Sequence, residues 1–180
     1  MCNKANRKLF ILRKIRESGF NKSEQLHAYI TYIRPHLEYC SIVWGTGLND
    51  KLSYKIERIQ KRAFSIIERK KVDRDNYQDV LESNKLESLS SRRVKALINF
   101  GEKIFTSKRF RHFLPEIVDE STQRTLRYRK NILYEPNYKN ERYKSSTIPA
   151  IISYINKNYI ENGTVFSWSR EQALLVQGYC

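Results

Sequence analysis

A chain of 180 residues is long enough to bury a real core and short enough for one domain, or one with a small appendage. Its 34 Lys and Arg against 19 Asp and Glu leave a formal charge of +15, divided as +10 over residues 1 to 72 and +5 over the rest, a field that suits nucleic acid or an anionic membrane surface. No apolar run approaches ~18 residues, which excludes a membrane span, and three scattered cysteines with no Cys-x-x-Cys pair exclude a disulfide framework and a zinc finger.

The opening MCNKANRKLFILRKIR is basic, amphipathic and free of acids until Glu17. Its spacing predicts a helix that buries Ala5, Ile11, Leu12 and Ile15, stops at Gly19 and carries Arg7, Phe10 and Lys14 on the opposite face. Phe10, between cations, either stacks on a base or sugar or is covered by a neighbouring element. The same composition describes a mitochondrial presequence, but Ser is absent before Ser18. With no secretory signal, the expected setting is intracellular and reducing, in nucleus or cytoplasm.

Leu26, Ile30, Ile33, Leu37, Cys40 and Trp44 then alternate at steps of four and three, predicting a second helix with Cys40 in its core stripe. Asn21 with Glu24 forms a capping pair at its start, or Ser23 is the cap. Pro35 removes a backbone donor inside the periodic run, so a kink is expected near Ile33 to Arg34. Gly45 and Gly47 end the segment, and Asn49 or Asp50 caps the next.

That next helix is the most informative. Leu52, Ile56, Ile59, Ala63 and Ile66 form its core face. One position back, Lys51, Lys55, Arg58, Arg62 and Arg69 follow the same rhythm, with Ser65 as the gap, and their line of roughly 27 Å suits a nucleic-acid backbone. A solvated face is the plain alternative, but no carboxylate interrupts the line, which favours binding. The neighbouring Tyr54, Lys61 and Glu68 are mixed and limit the width of the basic surface.

Beyond Lys71, VDRDNYQDVLESN is acidic and predicts a short helix ending near Asn84. Asp73, Asp75, Asp79 and Glu82 answer its dipole better than they would a metal, since no histidine ligand or EF-hand glycine accompanies them. Ser88 caps a longer helix through Leu89, Arg93, Ala96, Leu97, Phe100 and Ile104, with Arg92, Lys95, Lys103 and Lys108 outside. Residues 107–145 are weakly periodic. Their LRYRKNILYEPNYKNERYK is either a wrapping loop or an aromatic and basic RNA surface, and the turn at Pro136 and Asn137 favours the loop. Ser146 or Thr147 caps a last helix with Pro149 near its first turn and Ile148, Ile151, Ile152 and Ile155 as apolar contacts. His27, His36 and His112 are isolated and pair with no nucleophile.

HAYITYIRPHLEYCSIVW followed by KIERIQKRAFSII resembles the region immediately after the polymerase core in jockey-like non-LTR retrotransposon reverse transcriptases. NRKLFILRKIRESGF upstream, and LESLSSRR, INFGEKIF, RHFLP and RYKSSTIPAIISYIN downstream, fit further landmarks of that family, so the resemblance runs from about Lys4 to Asn158. The ending IENGTVFSWSREQALLVQGYC has no counterpart in it. The resemblance implies a thumb, a helical module that holds the primer and template duplex. The family's metal-binding aspartates and its endonuclease precede the matched region, and this chain has no Tyr-Ala-Asp-Asp motif and no Asp-Asp pair.

The expectation is therefore an all-α, thumb-like helical bundle over residues 1–72, a post-thumb region over 73–158 and a tail over 159–180. It would be a non-catalytic fragment of an RNA-directed DNA polymerase, needing no cofactor or metal. Arg7, Arg13, Lys14, Lys51, Lys55, Arg58, Arg62 and Arg69 would contact phosphates of a duplex or RNA–DNA hybrid. Two rivals accompany it: a helical module that docks on a protein partner through exposed apolar surface, and an inert retroelement relic.

Overall fold

A computed structural model describes residues 1–118, 132–162, 164–165 and 168–169 and is mostly helical, as the periodicity requires. Its contacts gather into two units: Met1–Ser41 with Leu48–Val94, and Ile42–Gly47 with the chain from Lys95 onward. The expected boundary at residue 72 thus falls inside the first unit, because 73–94 is tied to the preceding helices by the hydrogen bonds described below.

In the first unit, α1 (Cys2–Glu17) buries Ala5, Leu9 and Leu12. Ile11, expected inside, is 45% exposed and Ile15 is half-buried. At about 100° per residue Ala5, Leu9, Leu12 and Arg16 form one line, Ile15 lies about a quarter turn off it, and Ile11 lies more than a third of a turn off it. Gly19 ends the helix in the left-handed region (φ 81°), with its N–H on the Arg16 carbonyl at 3.2 Å and that of Phe20 on Ile15 at 3.4 Å.

The α2 helix (Lys22–Ala28) opens with a complete capping box, Glu24 N–H on the Asn21 side chain at 3.0 Å and the Glu24 carboxylate on Asn21 N–H at 2.8 Å. The expected kink is a π-helical turn over Tyr29–Ile33, in which Arg34 N–H reaches back to the Tyr29 carbonyl, followed by α3 (Arg34–Glu38) with Pro35 in its first turn. The widened turn lets the chain restart a helix at the proline, where a missing N–H costs nothing. Ile33 and Leu37 are buried as expected. Cys40 is not: Tyr39 leaves the helical region and Cys40 takes φ 52°, which turns its side chain out to solvent. After α4 (Ser41–Trp44) and a 3-10 turn at Gly45–Gly47, Asn49 caps α5 (Asp50–Ile67) by accepting Leu52 N–H at 2.9 Å.

The core face of α5 holds Ile56, Ile59, Ala63, Phe64, Ile66 and Ile67, each worth about 1.5–3 kcal/mol of burial for the larger side chains. Leu52, expected on it, lies in the first turn and is 48% exposed. Within this core Tyr29 packs on Phe64 with ring centroids 5.5 Å apart. The Tyr29 hydroxyl donates to the Gln60 side-chain oxygen at 2.6 Å, and Gln60 donates to the Glu87 carbonyl at 3.0 Å, so these buried polar groups satisfy one another. Burial pushes the Tyr29 hydroxyl far above its ordinary pKa, so it remains a donor.

The acidic segment forms α6 (Tyr77–Ser83), which ends at Asn84 as expected. Ser88 caps α7 (Leu89–Thr106) by accepting Ser91 N–H at 3.1 Å. Glu57 of α5 joins the two helices: one carboxylate oxygen accepts the Tyr77 hydroxyl at 2.6 Å and the other accepts Ser90 N–H, also at 2.6 Å, at the positive end of the α7 dipole. Arg92, expected among the outer cations, is held by Glu38, with Nη2 to Oε2 at 3.2 Å. Arg93 is buried and donates to the Ser53 hydroxyl at 2.9 Å.

The second unit has an apolar core of Ile104, Phe105, Leu114, Ile132, Leu133, Ile151, Ile152 and Ile155, the last three from α9 (Thr147–Asn162), which follows α8 (Glu141–Lys144). Ile117 and Leu133 make an antiparallel bridge, supported by Val118 N–H on the Ile132 carbonyl at 2.9 Å. Asn156, fully buried, clasps Leu133 from α9: its oxygen accepts Leu133 N–H at 2.9 Å and its amide donates to the Leu133 carbonyl at 3.0 Å. Thr147 donates to the Ile42 carbonyl at 2.8 Å. Thr164–Val165 pairs antiparallel with Trp168–Ser169, and the rest of the expected tail lies outside the described residues. So does 126–131 of the basic and aromatic stretch. In its described part Tyr138 meets Tyr143 edge-on at 5.7 Å, while Tyr134 is exposed.

Candidate nucleic-acid interface

The α5 helix sorts its charged residues by the face each occupies. Lys51, Lys55, Arg58 and Arg62 are all exposed, and among the described residues none has a carboxylate within ion-pair distance. The adjacent mixed line is instead partnered throughout. Tyr54 faces the Arg74 guanidinium at 5.3 Å, Lys61 sits over the Tyr77 ring at 4.6 Å, and Glu68 accepts from Lys22 and from Asn84, each at 2.8 Å. Burial by itself would raise the Glu68 carboxyl, but the hydrogen bonds from Lys22 and Asn84 outweigh it and hold the group below the usual carboxylate value.

Arg69 is exposed but does not extend the helical line. The helix ends at Ile67, Glu68 is its C-cap, and Arg69 has φ 54°. The helical part of the line, Lys51 to Arg62, spans roughly 17 Å. Ser65, the gap in the series, locks the turn that follows: its hydroxyl donates to the Lys61 carbonyl at 2.9 Å and accepts Val72 N–H at 3.0 Å.

The α1 helix packs along α5 and brings part of its own charge beside this line. Arg62 Nη1 lies 3.5 Å from the Asn6 side-chain oxygen, and Arg16 donates to the Ile66 carbonyl at 3.4 Å. Arg13 is two turns beyond Asn6 on the same flank of α1, so it shares the side of the helix that meets Arg62. Arg7 and Lys14 lie about 100° further around, and Lys14 is occupied by Glu17 at 2.8 Å with its ammonium 5.6 Å from the Phe10 ring. Of the cations singled out from the sequence, Lys51, Lys55, Arg58, Arg62 and Arg13 therefore share one surface, Arg69 joins it past the helix end, and Arg7 and Lys14 sit apart.

Sequence reasoning passed over Arg16, Lys70 and Lys71. The run Arg69-Lys70-Lys71 was visible as charge, but the reversal that turns it back toward α1 depends on the Ser65 bond. Among the described residues no cluster of His, Cys, Asp and Glu could hold a metal ion, and no helix is long and apolar enough to cross a membrane. No protein-family model, curated protein or solved structure matches the chain.

Proposed function

We propose that this chain is the thumb and post-thumb segment of a jockey-like non-LTR retrotransposon reverse transcriptase, holding the primer and template duplex by backbone contact without itself polymerising. The observation that carries the reading is the row of exposed cations on α5, unopposed by any described carboxylate and flanked by Arg13. Such contacts fix position along a duplex and are indifferent to its sequence. Each phosphate neutralised releases condensed counterions, so four or five contacts predict roughly a hundredfold to thousandfold loss of affinity between about 50 and 200 mM salt. An RNA–DNA hybrid, with its wide shallow minor groove and ribose hydroxyls, is the preferred duplex under this reading.

The test is an anisotropy titration against hybrid, DNA duplex and single strands at both salt concentrations. Arg58→Glu with Arg62→Glu is expected to weaken binding to every sequence and flatten the salt slope while the helical circular dichroism stays unchanged. Full affinity in that double variant removes the α5 row from the interface. A second reading, docking on a protein partner, is favoured by one feature: Phe10 and Ile11 stand together on the outer side of α1, 58% and 45% exposed. Concentration-dependent self-association without nucleic-acid affinity would select it.

A further inference from the structure

Past the last turn of α5 the chain reverses, and the reversal gathers positive charge. Arg69 adopts a left-handed conformation that a non-glycine residue keeps only where its surroundings hold it. The surroundings are specific: Val72 is buried and bound to Ser65, while Asn76 donates to the Lys71 carbonyl at 3.0 Å and accepts Asp73 N–H at 3.1 Å. The turn therefore presents three consecutive cations from a fixed backbone. Arg16 of α1 approaches from the other side, and Arg16, Arg69, Lys70 and Lys71 line an open depression with Ser65 and Glu17.

Four cations converge there against one carboxylate, and Glu17 is already engaged by Lys14 at 2.8 Å. Like charges around one depression repel, and an anion among them relieves the repulsion. The Ile66 carbonyl at the end of α5 is covered by Arg16, so an entering anion meets guanidinium and ammonium groups. An internal phosphodiester offers one charge, whereas a terminal phosphomonoester carries close to two at neutral pH and three strong acceptor oxygens. Cations contributed from two chain segments around a depression suit the second better than the first, and the depression begins one turn beyond Arg62, where the helical row stops.

We propose that this depression seats a phosphomonoester dianion, the terminal phosphate of a strand lying along the α5 row. The source of the phosphate rests on the nucleic-acid reading above, and the chemistry of the seat rests on the depression alone.

The test uses the full chain and duplexes carrying a phosphate at the 5′ end, the 3′ end or neither, alongside inorganic phosphate followed by amide chemical shifts of residues 65 and 69–72. One phosphorylated end is expected to bind about tenfold tighter than the hydroxyl-ended duplex, the size of one charge-assisted contact. Lys70→Ala with Lys71→Ala should erase that ratio whatever it does to affinity in general, and Ser65→Ala, which removes no charge, should reduce it by loosening the turn. Equal affinity for all ends with saturable shifts from inorganic phosphate overturns the strand-end assignment and gives the seat to a free phosphate. Equal affinity with no such shifts overturns the seat itself. Phosphate shifts without any duplex binding sink the nucleic-acid reading and leave the seat standing.

Discussion

The two units hold themselves together in different ways. The first ties its helices with directional bonds in and around the core: Tyr29 to Gln60 to Glu87, and Tyr77 and Ser90 to Glu57. The second relies mainly on the packing of isoleucine, leucine and Phe105, with the Asn156 amide bonding both the N–H and the carbonyl of Leu133 and the buried Arg111 donating to the Leu114 and Pro115 carbonyls. Bonded side chains fix which helix face meets which, whereas aliphatic packing tolerates rearrangement of similar volume. The unit with the tied interior is also the one that presents the ordered row of cations.

The sharpest way to break this contrast is to hollow each core in turn. Phe64→Ala and Phe105→Ala each remove a fully buried ring and are expected to cost about 3–5 kcal/mol. Hydrogen exchange should show the first loss in α5 amides and the second in α9 amides, and equal loss in both places would mean that the units unfold as one. Asn156→Leu comes next, at about 2–5 kcal/mol, because it strands a buried N–H and a buried carbonyl of Leu133 at once. Its effect should appear as a lower urea midpoint reported by α9.

Gln60→Leu is expected to cost about 1–3 kcal/mol by leaving the Tyr29 hydroxyl unpaired, and adding Tyr29→Phe should recover part of that loss. A double variant no better than the single one would deny the pair its structural role. The smallest effect is that of pH on Glu68. Its carboxyl titrates below the ordinary 4.5 in the folded chain, so its stabilisation is complete above that value and disappears as pH falls through the folded one. The melting temperature of Glu68→Gln should therefore lie below that of the native chain near pH 7 and converge with it in acid.

Much of this was legible from residue spacing. The apolar steps of three and four located α5 and α7, and Asn21, Asn49 and Ser88 cap where their chemistry predicts. What failed to show was whatever depends on a neighbour. Cys40 kept the rhythm of its stripe, yet the chain leaves the helix at Tyr39, so the rhythm had no helix to act on. Arg92 looked like an outer cation because Glu38, its partner, lies 54 residues away in the chain. The row from Lys51 to Arg62 was legible because it is internal to one helix. The depression that Arg16 lines with Arg69 to Lys71 was not, since it needs both the packing of α1 on α5 and the reversal after Glu68.

The bridge between Ile117 and Leu133 has a consequence for how this chain can be cut and rejoined. Val118 and Ile132 are hydrogen-bonded to each other, so the backbone enters and leaves residues 119–131 at adjoining points, with Leu133 clasped independently by Asn156. Val118 and Ile132 are accordingly fastened to each other, and a chain cut between them should keep both edges of the bridge in place.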